Sequence, residues 1–416
     1  MEKPVINFEE ILHDIQNRYD RNHLKFIGLD DPGKLSYYIA YRLIKLKFKR
    51  PIWWWIFNVD LQNAFKEIDR EELLKDFKER DAVFILDHSA DPLNVISLTN
   101  SFLKDVLVFF KENNIPFNRL LVLTPLKDHE FFTKCVDTPV IKAADRTPFD
   151  LDVGHITFNR LFYDMYLGFN VMGEYRGKGM ISDFEKKPDK HFLSLSRRDE
   201  FNRRLHNYML HNNDTFKYGI VSHNRVVEGV YTNNEKQVDI ALTKELVTKD
   251  DFDLNNFLDF GYRKHLLDDV SQKGRVSYDP YPHLKFSVKT CFEIVIETDW
   301  TNTWLTEKTF KPLLCKSPFL LIGPRHSLAY LRDLGFKTFD FMFDESYDDQ
   351  KALYDRMIII HKNIKKLTSL PLKDCLELVN RGKDIYDHNH SLYQNTTWDF
   401  DINNKIENYI ERITNV

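Results

Sequence analysis

Short apolar runs separated by helical stretches recur along the whole chain, and this rhythm restricts the fold more than any single motif does. In the first half the runs are Lys25-Phe26-Ile27-Gly28-Leu29, residues 52–59, Ala82-Val83-Phe84-Ile85-Leu86, Leu120-Leu121-Val122-Leu123 and Pro139-Val140-Ile141. Between two of them, residues 101–113 carry Phe102, Val106, Phe109 and Phe110 at helical spacing, and Asn113-Asn114 closes the segment. Strand, helix, strand across 82–123 reads as a βαβ crossover, so the expected class is α/β with open, largely parallel sheets. No repeat of solenoid length and no low-complexity tract interrupts it.

The rhythm breaks once. Gly177-Lys178-Gly179 and the charged run 183–190 precede a new strand, His191-Phe192-Leu193-Ser194-Leu195, and the domain boundary is expected there. The expected domains are 1–185, 190–385 and a C-terminal helical tail at 386–416 that packs back on the first. The second half repeats the strand pattern near 192–195, 218–222, 292–297 and 318–322, and the helix 327–334 ends at Gly335. Residues 225–285 are polar with little periodicity, which fits either an acceptor-side insertion or a plain surface excursion.

A length of 416 residues supports two domains of about 150–250 residues each. A formal charge of −4 excludes a protein that holds nucleic acid by a global basic field, while local patches stay open. The four cysteines, Cys135, Cys291, Cys315 and Cys375, form no CxxC or Cys/His pair, so reduced thiols are expected and no metal. The first residues lack a basic and then apolar leader, and no window reaches the length of a membrane span. The expectation is a cytoplasmic protein, in the host cytoplasm if phage-encoded, with no integral membrane contact.

Three segments carry candidate chemistry. Thr306-Glu307-Lys308-Thr309-Phe310-Lys311-Pro312 follows a buried strand and starts a helix with Thr306 as N-cap, and Thr306, Glu307 and Lys308 are its candidate donor-binding residues. Unpaired N–H groups and partial positive charge at a helix start favour a diphosphate beside Lys308, and Glu307 can accept from ribose hydroxyls. A solvated Glu-Lys pair is the alternative. Ser196-Arg197-Arg198, with Arg203-Arg204, follows a strand at the edge where α/β sheets bind ligands, and arginine forks match phosphate oxygens. Arg203 or Arg204 would otherwise lie on a solvated helix face.

The third segment, Asp87-His88-Ser89-Ala90-Asp91-Pro92, ends the strand 82–86. Asp87 is the first candidate for a general base, with Asp91 and His88 as alternatives, unless Asp87 and Asp91 merely cap a helix and start a turn. Asp30, Asp31 and Asp60 repeat that argument more weakly. Trp53-Trp54-Trp55 after Arg42–Arg50 is either a basic, aromatic acceptor surface using Arg50, Trp53 and Trp54, or part of a core strand. Asp387-His388-Asn389-His390 lacks a third metal ligand, and the acidic run at 344–349 reads as a helix cap. Gly28, Gly33 and Lys34 fall short of a phosphate loop.

Taken together, residues 192–205, Gly219-Ile220-Val221-Ser222, Thr298–Lys308 and Asp344–Asp348 resemble GT-B glycosyltransferases of phage and bacterial type, and are distantly similar to the α-1,3-fucosyltransferase family. The resemblance covers 190–350 and fades in 1–185. It implies two Rossmann-like domains facing a cleft, ribose contact by Glu307, phosphate contact by Lys308 and by Arg197 or Arg198, and inverting transfer without a metal from a nucleotide sugar. The acceptor would be a hydroxymethylated pyrimidine in phage DNA or a glycan. A non-catalytic nucleotide- or glycan-binding protein of the same fold is the other class.

Overall fold

The computed structural model describes residues 24–27, 50–56, 68–87, 102–124, 154–157, 185–196, 200–223, 233–247, 252–260, 281–301, 305–395, 404–405 and 407–409. The chain divides into two compact units, 1–176 with 397–416, and 177–396.

In the first unit five parallel strands lie side by side in chain order: β1 (Leu24–Ile27), β2 (Ile52–Ile56), β3 (Val83–Asp87), β4 (Leu120–Thr124) and β5 (Gly154–Thr157). Helix α1 (Arg70–Arg80) joins β2 to β3, and α2 (Phe102–Glu112) joins β3 to β4. Right-handed crossovers that always step the same way leave their helices on one face of the sheet. Accordingly, Leu73 and Phe77 of α1 and Val106 and Phe110 of α2 share one core with Trp53, Phe84, Leu86, Leu120 and Val122. Asp69 caps α1 by accepting from the N–H groups of Glu71 and Glu72.

Trp53 and Trp54 are core. Trp53 and Trp54 point to opposite faces of β2 and both are buried, at 4% and 0% exposure, because each indole N–H has a carboxylate to donate to. Trp53 Nε1 donates to Asp76 Oδ2 at 2.9 Å, and Trp54 Nε1 to Asp87 Oδ2 at 3.2 Å. Lys25 sits 4.3 Å from the Trp53 ring centroid and also binds Asp76, while Arg50 pairs with Asp81 at 2.9 Å. The expected acceptor surface is therefore corrected for Trp53 and Trp54, since side chains committed to a sheet interior have no face left to stack on a ligand, while Arg50 stays half-buried beside Asp81.

The second unit holds four parallel strands in the order β7-β6-β8-β9: β6 (Lys190–Ser196), β7 (Gly219–His223), β8 (Thr290–Ile296) and β9 (Phe319–Ile322). Chain direction across this sheet reverses between β6 and β8. Helix α3 (Phe201–Asn212) follows β6. Helices α4 (Asn233–Leu246), α5 (Leu254–Phe260) and α6 (Tyr281–Ser287) fill the stretch between β7 and β8 that the sequence shows as polar. Phe257 and Phe260 of α5 bury themselves against Tyr208 of α3, so that stretch carries its own apolar anchor. After β8 come α7 (Glu307–Leu314), β9, α8 (Ser327–Asp333), α9 (Leu353–Thr368), α10 (Leu372–Asn380) and α11 (Lys383–Asn395).

Two sequence expectations meet the structure differently here. Residues 344–349 do cap a helix: Asp348 accepts from the N–H groups of Leu328 and Ala329 at 3.0 Å each, at the start of α8. The tail expected from 386 onward divides instead. Residues 386–395 belong to α11 of the second unit, where Phe310 and Tyr393 approach to 6.3 Å, and 397–416 group with the first unit, where Tyr409 donates to the Asn118 carbonyl. His388 and His390, being helical, point apart and bind the carbonyls of Gly335 and Leu314.

Every residue of β8 is buried, including Glu293 in its middle. Its carboxylate accepts from His283 Nε2 at 2.6 Å and Ser287 Oγ at 2.6 Å, both on α6. Burial pushes the Glu293 pKa up, but the His283 and Lys186 charges and the two donors outweigh it and hold the group at about 2. A depressed folded-state pKa means this stabilisation is complete above the unfolded value of 4.5 and is lost as pH falls toward about 2. Urea melts at pH 7 and pH 3 are expected to show Glu293→Gln well below wild type at pH 7, with the gap narrowing at pH 3; a constant gap would contradict the assignment.

Candidate functional site at the edge of the second sheet

In an open α/β sheet, ligands bind outside the carboxyl ends of the strands where the winding direction reverses. In the second unit that point lies between β6 and β8, so the residues that matter are those leaving β6 toward α3 and those leaving β8 toward α7.

Glu297, the residue after β8, is where these elements meet. Its N–H donates to the Ile322 carbonyl at the end of β9, and its own carbonyl accepts from Asn202 Nδ2 in the first turn of α3, each at 2.9 Å. The side chain is fully buried. Oε1 accepts from the Thr306 N–H at 2.9 Å and from Thr309 Oγ1 at 2.5 Å, and Oε2 accepts from Thr306 Oγ1 at 2.6 Å. This carboxylate is thus held by the N-terminal donors of α7, where a helix favours negative charge.

Thr306 caps α7 as its position predicts, and it does more. A hydroxyl has one donor and two acceptor sites. Here the donor goes to Glu297, and the acceptors take the Lys308 N–H at 3.3 Å and Lys308 Nζ at 3.1 Å. Nothing remains for a ligand, which corrects the expectation that Thr306 contacts the donor directly. It also changes the anion-seat argument, since the carboxylate of Glu297 already occupies the start of α7.

Glu307 and Lys308 do come together, and asymmetrically. Glu307 is buried, whereas the Lys308 side chain is 33% exposed, with Nζ at 3.1 Å from Glu307 Oε1. Burial pushes the Glu307 pKa up, yet the Lys308 and Lys311 cations overcome it and leave the carboxyl below its usual range. The ammonium thus spends two hydrogens on Thr306 and Glu307, and its third has no partner in the described structure.

On the other side of the switch point, α3 starts at Phe201 without a side-chain cap. Arg203 and Arg204 are both buried rather than solvated. Arg203 Nη2 donates to Thr298 Oγ1 at 3.3 Å and lies 3.4 Å from Glu200 Oε2, so this guanidinium ties the start of α3 to the end of β8. Ser196 Oγ, at the end of β6, is buried with no hydrogen-bond partner among the described residues. Ser194, two residues earlier on the same face, binds His206 of α3 at 3.2 Å, so Ser196 faces the start of that helix. Arg197 and Arg198 lie outside the described residues.

Of the first-unit candidates, Asp87 ends β3 at the carboxyl edge, but it is 2% exposed and engaged by Trp54. His88, Asp91, Asp30, Asp31 and Asp60 lie outside the described residues. The sequence reading passed over Glu297, although a charged residue closing an apolar strand signals a buried partner, and Thr306 and Thr309 stand ready in the next helix.

No family model matches the chain, and no curated protein matches it by sequence. Among solved structures it is similar to an α,α-trehalose-phosphate synthase (UDP-forming) from Burkholderia vietnamiensis, at 9% identity and a TM-score of 0.39, over 95% of this chain and 83% of that one. It is also similar to an α,α-trehalose 6-phosphate synthase from Burkholderia multivorans, at 10% identity and a TM-score of 0.36, over 99% of this chain and 81% of that one. Superpositions this loose assign neither a residue nor a substrate.

Asp87→Ala should destabilise the protein by about 1–3 kcal/mol because it strands the Trp54 indole N–H, while Asp87→Asn, which keeps an acceptor oxygen, should cost less. Thermal melts of the two variants check this. Equal losses would mean that the charge, and not the hydrogen bond to Trp54, is what Asp87 contributes.

Proposed function

We propose that the chain is a nucleotide-sugar-dependent glycosyltransferase of GT-B type whose donor site is the carboxyl edge of the second sheet. The observation that carries this reading is the partly exposed Lys308 ammonium, held at the winding reversal by the Thr306 hydroxyl on one side and by the Glu307 carboxylate on the other. A cation fixed beside a carboxylate suits a sugar diphosphate joined to a ribose: the ammonium takes a phosphate oxygen and the carboxylate a ribose hydroxyl. The resemblance of Thr306-Glu307-Lys308 and its preceding strand to the fucosyltransferase family supports the same roles.

In this mechanism Lys308, with Arg197 or Arg198, neutralises the charge that grows on the leaving diphosphate, so the step runs without a metal. Arg203 stays behind as a brace between Thr298 and Glu200. An acceptor hydroxyl attacks the anomeric carbon from the opposite side and passes its proton to a base, giving inversion. The base is assigned to the segment after β3. Within it Asp91 and His88 are the candidates that remain, because the Asp87 carboxylate accepts from Trp54.

The acceptor is a hydroxyl of a glycan or of a hydroxymethylated pyrimidine in DNA. Burial of Trp53 and Trp54 removes the aromatic surface that favoured DNA. The sugar is a hexose or a pentose.

Lys308→Ala and Glu307→Ala are each expected to weaken nucleoside diphosphate binding by about 10-fold or more, the effect of one charge-assisted hydrogen bond. Isothermal titration with UDP, GDP, ADP, CDP and dTDP measures it, and unchanged affinity in both variants would remove the site. Transfer from the matching nucleotide sugar should persist in EDTA; loss of turnover that returns with Mg²⁺ or Mn²⁺ would overturn the metal-independent step.

A further inference from the structure

We infer that Glu297 is the positioning residue of the donor site, acting on the ligand through Thr306 and Lys308 without touching it; this rests on the function proposed above. Three observations carry it. Both carboxylate oxygens point at the start of α7 and take three donors there at 2.5–2.9 Å. The Thr306 hydroxyl that Glu297 orients is the same one that accepts from Lys308 Nζ, so the chain Glu297, Thr306, Lys308 runs unbroken from a buried anion to a half-buried cation. The backbone of Glu297 joins β9 and α3, which fixes the carboxylate to the sheet edge rather than to the helix it holds.

The chemistry makes the arrangement directional. Because Oε2 accepts the Thr306 hydroxyl proton, both Thr306 lone pairs face Lys308, one toward its N–H and one toward its ammonium. A glutamine at 297 would keep the volume but replace one acceptor by an amide NH₂. With the amide at the Oε2 position, Thr306 must turn its hydroxyl to accept from it and one hold on Lys308 is lost; with the amide at the Oε1 position, the Thr306 N–H and the Thr309 hydroxyl lose their acceptor and the start of α7 is loosened.

The test is a cycle of Glu297→Gln, Lys308→Ala and the double variant, read by titration with the nucleoside diphosphates named above and by amide hydrogen exchange. We expect Glu297→Gln to weaken binding by roughly 10-fold or more, the weight of one charge-assisted hydrogen bond. The double variant should bind about as weakly as Lys308→Ala alone, because both changes remove the same contact. Exchange should quicken at residues 307–310 and not in α9. Thr309→Val, which deletes one donor to the carboxylate, gives a milder form of the same result should Glu297→Gln fail to fold.

Losses that simply add in the double variant would overturn the inference, because a residue that only stabilises the unit does not share its effect with Lys308. Unchanged exchange at 307–310 would do the same. If wild type binds none of the diphosphates, it is the functional reading that fails, and exchange in α7 alone then decides whether Glu297 holds the helix start.

Discussion

β8 runs through the middle of the second sheet with a glutamate at its centre and another just past its end, and neither can reach water. An ionised carboxylate taken from water into a protein interior costs several kcal/mol unless donors replace its hydration. By comparison an exposed ion pair contributes about 0–1 kcal/mol. The elements around β8 are accordingly placed by what these two groups require. Glu293 draws in His283 and Ser287 of α6, and Glu297 draws in Thr306 and Thr309 of α7. Spaced four residues apart along extended backbone, the two side chains leave on one face, so one strand sets the position of two helices. The partly exposed pair of Glu307 and Lys308 is too weak to place α7 and is instead placed by it.

Strand order explains why polar groups gather at this edge of the second sheet. Where winding reverses, the crossovers leave to opposite faces and their first turns part, which opens room above the strand ends. The described strands of the first unit never reverse, and their helices crowd one face, where Phe77 and Phe110 meet edge to face at 5.1 Å. Its carboxyl edge holds Asp87, which serves the interior. Similar reasoning from the sequence, a carboxylate at the end of a parallel strand, applies to Asp87 and to Glu297 with different results, because Asp87 accepts from Trp54 of the neighbouring strand and Glu297 from the start of the next helix.

Much of the architecture was legible in the apolar runs. The runs at 25–29, 52–59, 82–86, 120–123, 192–195, 218–222, 292–297 and 318–322 all coincide with strands, since a strand covered on both faces must be apolar throughout. The run at 139–141 lies outside the described residues. β5, Gly-His-Ile-Thr, escaped because at the edge of the sheet it has one neighbour to satisfy and needs little apolar content. At the site, the cap at Thr306 and the pairing of Glu307 with Lys308 are local and so were visible. The burial of Arg203 and the convergence of Thr306 and Thr309 on Glu297 depend on contacts nine to ninety-five residues apart in the chain, which spacing alone does not encode.

What the local pattern leaves out is also what makes the site fit for binding. A lysine side chain gives up as much as about 2 kcal/mol of rotamer freedom when it is fixed. In this structure the cost is met during folding, because Thr306 and Glu307 already hold Lys308 Nζ. The same lysine on a solvated helix would have to be ordered by its ligand. A buried carboxylate that never meets the ligand can in this way add to affinity, through the order it imposes on the lysine proposed to meet it.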